Sequence, residues 1–540
     1  MMKLFGTDGI REKFGVFPMT QKDMVKIGIA TGKVLKKHTK NNSSSNPTII
    51  ILRDTRHSSP LIQSALISGL CTSGIDVLVA GVLPTPAAVH LIKHFNAHGA
   101  LVVSASHNPS EYNGVKFFSS SGIKLSENIE HEIENLVESI NLSKSDLSGN
   151  DKSGDNQSGN DCMTRGINSN VNDNIEHNSM EHYKGKAYYV HDAPEYYKFF
   201  LKNSLNTEFV SANLELNLKG LKIVIDCANG SGYRVSSVFK ELGAETVVIG
   251  NTPDGFNINL DCGSLYPENL SKQVLSSIAD FGFALDGDGD RITLVDEKGN
   301  ILDGDNIIGI LASNINVKQN KVAITVMSNL GLKRFLKSKN IETIETKVGD
   351  KYVIDAMLDN NLNLGGEQSG HIILGDYAPT GDGLLVAVQI AQILKSKKLS
   401  EKAYNDSLDS NSKMSKLAEI NKFPQVLINI DVEEKIPLSE IKGLNEKIKE
   451  YQASLRDGRI LVRYSGTESV VRIMAEGENY DGIKSICEDL SRFFKKNATH
   501  KGIHDGIRES ARTEGVRTEG VRNEVSCCIE KKNKSENKKK

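Results

Sequence analysis

"KIVIDCANG" (222–230) decides how the fold is read. Its apolar run is continuous rather than alternating, as in a strand covered on both faces, and it stops at a turn signal, Ala-Asn-Gly. A different rhythm follows. Val235, Val238, Phe239 and Leu242 fall on one face of a predicted helix that Gly243 ends. "AETVVIG" (244–250) then returns as a strand, so the segment reads as a parallel crossover unit. "TIIIL" (48–52), an apolar-periodic segment 60–71 and "IDVLVAG" (75–81) repeat that order. "KVAITVM" (321–327), "LGLKRFLKSKN" (330–340) and "IETIET" (341–346) repeat it again. Three such units predict three related α/β domains.

Beyond residue 400 the plan changes. "QVLINIDV" (425–432), a charged helix near 438–453, "GRILVRYSG" (458–466) and "VVRIMAEG" (470–477) read as β-α-β-β before a last helix, an α+β domain. The expected division is α/β domain I over 1–185, α/β domain II over 186–300, α/β domain III over 301–400 and an α+β domain IV over 401–500. Residues 143–182 are dominated by Ser, Asn, Asp and Gly and read as a disordered insert. Residues 501–540 read as a disordered basic tail, with "RTEGV" twice and "KKNKSENKKK" at the end.

The bulk numbers fit a soluble globular chain: 540 residues, 38% hydrophobic, 25% charged, net charge −2. That balance carries no whole-molecule field for nucleic acid, and no apolar stretch approaches a membrane span. Seven cysteines without a CxxC pair suit a reducing cytoplasm better than a disulfide framework.

Polar loops at the strand ends carry the chemistry. "SASHNPSEYNG" (104–114) follows the apolar run Ala100-Leu-Val-Val103, and Pro109 blocks a simple continuation of the strand. Ser106 and His107 therefore sit at the strand-to-loop corner where α/β layers bind ligands, although the same residues also suit a plain turn. "DGDGDR" (286–291) spaces Asp286, Asp288 and Asp290 at i, i+2, i+4 with glycines between, so the carboxylates can converge on one hard cation such as Mg²⁺. An EF-hand is the rival: Glu297 falls at loop position 12, but Arg291 stands where that loop needs glycine, and both flanks read as strands. "GGEQSGH" (365–371) spaces Glu367, Ser369 and His371 alternately, so an extended segment would present all three on one face to sugar hydroxyls; the alternative is a polar hairpin turn. "RYSGTE" (463–468) combines a guanidinium, hydroxyls and a glycine corner suited to a phosphate monoester, with Arg472 on the next strand. "FGTDGIR" (5–11), "RDTRHSSP" (53–60) and "TKVGDKY" (346–352) each place a basic side chain at a strand exit.

Taken in chain order from residue 5 to 468, FGTDGIR, SASHNP, DGDGDR, GEQSGH and RYSGTE resemble the α-D-phosphohexomutase superfamily, and within it the chain is similar to the bacterial phosphoglucosamine mutases. The resemblance covers about 460 residues in four domains. It implies an isomerase that interconverts glucosamine 6-phosphate and glucosamine 1-phosphate for amino-sugar nucleotide and cell-wall precursor synthesis, with a phosphomannomutase/phosphoglucomutase or an idle sugar-phosphate-binding protein as alternatives. It implies that Ser106 carries a phosphoryl group and, with Asp286, Asp288 and Asp290, holds one Mg²⁺. Lys116 would move the hydroxyl proton, His107 assist, and Arg11 and Arg291 support the moving phosphoryl. Lys347, Glu367, Ser369 and His371 would contact the sugar, and Arg463, Ser465, Gly466, Thr467 and Arg472 the other phosphate. Glucosamine 1,6-bisphosphate would be the intermediate. The expected partners are a sugar phosphate and, as a candidate, a second copy of the chain in a homodimer; neither membrane nor nucleic acid is expected. Three departures stand out: Glu12 where glycine is frequent, expected to add a carboxylate near the site; Ser469 in place of proline, expected to loosen the phosphate loop; and the insert 143–182, which has no counterpart in the family pattern.

Overall fold

The computed structural model describes residues 3–6, 8–39, 46–140, 185–205, 217–404, 413–465 and 469–497. The expected insert (143–182) and tail (501–540) thus lie outside the described residues. The first sheet contains β1 (Ile10–Lys13), β2 (Thr48–Arg53), β3 (Asp76–Val82), β4 (Gly99–Val103), β5 (Tyr112–Ser119) and β6 (Ala187–Tyr189), in the order β1-β5-β4-β2-β3-β6. The second contains β7 (Lys222–Asp226), β8 (Glu245–Ile249), β9 (Phe281–Leu285), β10 (Ile292–Asp296) and β11 (Ile301–Leu302), ordered β11-β10-β9-β7-β8. The third is β13-β12-β14-β15, from β12 (Lys321–Thr325), β13 (Glu342–Thr346), β14 (Leu364–Gly366) and β15 (Ile372–Leu374).

One plan recurs in all three. A central strand lies parallel to both its neighbours, and the third parallel strand turns back as an antiparallel one: β4 to β5, β9 to β10, β14 to β15. The three turn-backs are residues 104–111, 286–291 and 367–371, so three of the chemistry-bearing motifs occupy the same topological position in three sheets. The strands before the first two are buried at every position, as their continuous apolar runs require.

The predicted helix that ends at Gly243 is shorter than its pattern of Val235, Val238, Phe239 and Leu242 suggests. A 3₁₀ turn (Ser231–Arg234) precedes one α-turn (Val238–Glu241). Val235, Val238, Phe239 and Leu242 are all buried nonetheless. Gly230 and Ser231 are held against Gly287 of the β9–β10 loop, and that tertiary contact competes with a regular first turn. Phe239 packs against Phe283 of β9 with ring centroids 4.9 Å apart, and burying each such ring contributes roughly 2–3 kcal/mol. A single apolar core joins side chains from all three sheets, among them Ile50 and Val102, Ile223 and Phe281, and Val322 and Leu364. Through it runs helix Gly383–Tyr404, buried continuously from Leu384 to Leu394. Among the described residues no helix is long and apolar enough to cross a membrane.

These elements form one compact unit ending at Asn421; a second begins at Lys422. In the second, β16 (Gln425–Asp431), β17 (Arg459–Tyr464) and β18 (Val470–Glu476) form an antiparallel sheet ordered β16-β18-β17. Helices Leu444–Ser454 and Tyr480–Asn497 accompany it, with Ile483, Cys487, Leu490 and Phe494 in its core.

Candidate active site

Ser106 lies in the β4–β5 turn, 2% exposed, with its backbone in the left-handed region at φ 52°. Its N–H donates to Ser104 Oγ (2.9 Å), whose hydroxyl donates in turn to the buried Asp54 carboxylate (2.7 Å). Its own hydroxyl donates to Asp286 Oδ2 at 2.5 Å and stands 3.3 Å from His107 Nδ1. The positive charge of Arg291, followed by burial and Arg11, pushes the His107 imidazole down to about 2, so it is a neutral ring at neutral pH.

Asp286, Asp288 and Asp290 are all buried and bring one oxygen each within 4.8 Å of one another. Burial, then the charges of Asp290 and Asp288, hold the Asp286 carboxyl well above the usual carboxylate range. Lys116, from β5, brings its ammonium 2.8 Å from Asp288 and 2.6 Å from Asp290. Burial alone would lower its proton affinity, but Asp288, Asp290 and Asp8 outweigh burial and raise it. Asp288 Oδ1 and Asp290 Oδ1 are buried without a hydrogen-bond partner. Thr85 fixes the loop by donating its hydroxyl to Asp288 Oδ2 (2.5 Å) and its N–H to Asp288 O (2.8 Å). An all-carboxylate set that includes buried oxygens without a hydrogen-bond partner fits a hard divalent cation such as Mg²⁺. The EF-hand reading fails here, because strands β9 and β10 flank the loop and Glu297 instead accepts from Ser415 N–H and Oγ.

Close packing sets the two loops together. A Cβ on Gly287 would fall 2.7 Å from Ser106 O and 2.9 Å from Asn259 Nδ2, so only glycine allows this approach.

Sequence reasoning missed the charged bridge on the other side. Asp8, from "FGTDGIR", pairs with Arg11 (2.8 Å), approaches Lys116 (3.5 Å) and accepts from Lys124, which also bridges to Asp350. Arg11 reaches Asn108 of the serine loop at 3.3 Å. Asp350 lies in "TKVGDKY", whereas Lys347 of the same motif is exposed, 5.7 Å over the Tyr352 ring. Arg56 of "RDTRHSSP" is fully buried and faces backbone carbonyls rather than a ligand.

The "GGEQSGH" segment is not extended. Glu367 N–H donates to His371 O and Gly370 N–H to Glu367 O, making the hairpin turn that was the alternative reading. Alternation therefore does not place its three side chains together: Glu367 and His371 are buried and Ser369 is exposed. Glu367 Oε1 accepts from Gly349 N–H (3.0 Å), and its charge acts on Arg291. Both ring nitrogens of His371 are buried without a hydrogen-bond partner, with Nε2 3.8 Å from Asp350 Oδ2. Glu12 neighbours Arg11 on β1 and so faces the other side of the strand; its carboxylate accepts from Lys13 N–H.

In the second unit Arg463 and Arg472 stand directly opposite on β17 and β18, and Asn429 of β16 pairs with Arg472, forming one row across the sheet. Ser465 is buried, and its N–H donates to Val470 O. Ser469 is exposed, and its carbonyl accepts from Val432 N–H. Gly466 and Thr467 lie outside the described residues.

Four domain families match the chain. They are phosphoglucomutase/phosphomannomutase alpha/beta/alpha domain I over residues 2–144, domain II over 195–299, domain III over 303–409 and the C-terminal domain over 427–493. A phosphoglucosamine mutase of Thermodesulfovibrio yellowstonii is 42% identical over 497 residues, covering 91% of this chain and 98% of that one. One from Geobacter sp. (strain M21) is 40% identical over 499 residues, covering 91% and 97%. Among solved structures, a phosphoglucomutase/phosphomannomutase family protein from Burkholderia thailandensis superposes with TM-score 0.65 at 21% identity, covering 93% of this chain and 99% of that one. An Aspergillus fumigatus N-acetylphosphoglucosamine mutase, in complex with GlcNAc-6P and magnesium, gives TM-score 0.57 at 17% identity, covering 92% and 96%. These last two likenesses are of fold.

Proposed function

The chain belongs to the phosphoglucomutase/phosphomannomutase family and stands with its phosphoglucosamine mutases, and we propose the following division of labour for that isomerase in its site. The substrate is glucosamine 6-phosphate. Ser106, carrying a phosphoryl group on Oγ, gives it to the sugar's C1 hydroxyl; the Oγ–P bond breaks as the O1–P bond forms. The product, glucosamine 1,6-bisphosphate, turns around and returns its 6-phosphoryl to Ser106 Oγ, leaving glucosamine 1-phosphate. Lys116 is the group that moves the proton of the attacking hydroxyl; Asp8, Asp288 and Asp290 hold its ammonium protonated here, so it can accept that proton only when a cation on the aspartates lowers its proton affinity. Arg11 and Arg291 face the moving charge. His107 Nδ1, 3.3 Å from Oγ, assists by a hydrogen bond at that oxygen.

Asp286, Asp288, Asp290 and the serine's phosphoryl oxygen would hold Mg²⁺, which supplies charge neutralisation during transfer. Glu367 and His371 read sugar hydroxyls or the amino group, with Ser369 and Lys347 at the exposed margin. Arg463, Ser465, Gly466, Thr467 and Arg472 bind the phosphate that is not transferred; Arg463 and Arg472 occupy paired positions on neighbouring strands, and guanidiniums suit a phosphate dianion.

The observation that carries this reading is the buried Ser106 hydroxyl 2.5 Å from a carboxylate of the three-aspartate set. A coupled assay on protein of known Ser106 phosphorylation, measured by intact mass, tests it. Ser106→Ala should fold and lose nearly all activity, because no other acceptor completes the relay. Glucosamine 6-phosphate should give a higher kcat/KM than glucose or mannose 6-phosphate. A preference for glucose 6-phosphate would move the chain to another branch of the family.

A further inference from the structure

We propose that Arg56 and Asn259 are positioning residues that grip the backbone of the serine loop from two domains and hold Ser106 in its left-handed conformation against the aspartates. The inference rests on the reading of Ser106 as phosphoryl carrier.

Arg56 has no solvent exposure, and all five of its guanidinium N–H groups are used inside the protein. Nε donates to Asp54 Oδ2 (2.8 Å). One terminal nitrogen donates to Tyr112 O (3.0 Å) and to Pro109 O. The other donates to Ser106 O (2.9 Å) and Asn108 O (2.8 Å). No donor is left for an anion. Asp54 completes the grip, since it receives the Ser104 hydroxyl that accepts from Ser106 N–H. The peptide groups on both sides of Ser106 are thus tied to one buried ion pair.

Asn259 reaches the same two carbonyls from the second domain family's segment, with Nδ2 2.9 Å from Ser106 O and 3.2 Å from Asn108 O. Its own backbone is left-handed (φ 58°) and fastened by its N–H to Ala228 O. A serine at φ 52° relaxes unless its surroundings forbid it. Relaxation would swing Oγ away from Asp286, and a misplacement of about 1 Å costs roughly 100-fold in rate.

The test uses the full-length, Mg²⁺-loaded protein and glucosamine 6-phosphate, with Arg56→Lys, Asn259→Ala and Ser106→Ala as variants. Two quantities are read: the split of kcat from KM, and deuterium exchange of the amides of residues 104–112. The expected result is a kcat lowered roughly 10- to 100-fold in Asn259→Ala and Arg56→Lys, KM within about threefold, and faster exchange in the loop. If Arg56→Lys does not fold, Asn259→Ala decides alone, since it removes no charge. A raised KM with unchanged kcat would make these residues ligand contacts and overturn the proposal, as would unchanged kcat with unchanged exchange. Retained activity in Ser106→Ala would instead overturn the carrier reading, and faster exchange in the other two variants would then report a loop clamp unconnected to transfer.

Discussion

Asp382 offers a test of how the site's supporting wall is built. It is fully buried behind the Glu367–His371 hairpin: its N–H donates to Ile372 O, the next residue's N–H donates to Gly289 O of the aspartate loop, and a Cβ on Gly381 would strike the His371 ring. Burial pushes its carboxyl up to about 6, partly offset by hydrogen bonds from Leu385 N–H and Tyr197 OH. Both bonds go to Oδ1; Oδ2 has no partner and lies 3.9 Å from His90 Nε2. His90, which burial and Lys93 push down to about 3, stays neutral and gives no charge to pair with. Because the folded value exceeds the ordinary 3.8, the folded protein holds a proton that the unfolded chain releases. Stability from this group is therefore fully present below about pH 4 and is lost as pH rises to 6. At about 1.4 kcal/mol per pH unit, the loss amounts to ~3 kcal/mol. Asp382→Asn keeps an oxygen for both donors and cannot ionise. It should match the wild type near pH 3 and exceed it by up to ~3 kcal/mol at pH 7.5. Urea midpoints of the two proteins across that range supply the measurement, since other titrating groups cancel in the difference. A variant less stable at pH 7.5, or a difference independent of pH, would refute the argument.

Thr85→Val removes the hydroxyl that orients Asp288 and should weaken Mg²⁺ roughly 10- to 100-fold, read as a higher Mg²⁺ concentration for half-maximal activity after chelation. Ca²⁺, with longer and looser coordination, should restore chelated protein poorly; equal restoration would argue against an octahedral site. Gly287→Ala places a methyl against Ser106 O, so activity should collapse while stability falls by about 1–3 kcal/mol; near-normal kcat would show that the two loops can separate without harm. Glu367→Gln should lower kcat/KM for glucosamine 6-phosphate roughly 10- to 100-fold and for glucose 6-phosphate less, because a charge-assisted contact to the amino group is lost. Equal losses would make Glu367 a grip for sugar hydroxyls in general.

The sequence by itself determined whatever is encoded locally. Continuous apolar runs marked β2, β7, β9 and β12, and the i, i+2, i+4 aspartates between two strands specified a turn whose carboxylates could hold a metal, because their convergence needs only six consecutive residues. Order along the chain pointed to the family before any contact was known. Local patterns failed where burial and distant partners compete with them. The "RDTRHSSP" motif put a basic side chain at a strand exit, but Arg56 is fully buried, and its donors are satisfied by Asp54 and by the carbonyls of a loop some fifty residues later. Lys347 was the conspicuous basic residue of its motif, yet packing brings in Asp350, through Lys124 and Asp8 of two other segments. The alternation in "GGEQSGH" suggested an extended strand, while the hydrogen bonds between Glu367 and His371 close a turn. Only the tertiary structure placed Ser106 against Asp286, 180 residues away, because the meeting depends on three sheets sharing one core and on a glycine that lets two backbones touch. Periodicity and turn chemistry are properties of neighbours in sequence; which donor finds which acceptor is settled by long-range packing and the desolvation it imposes.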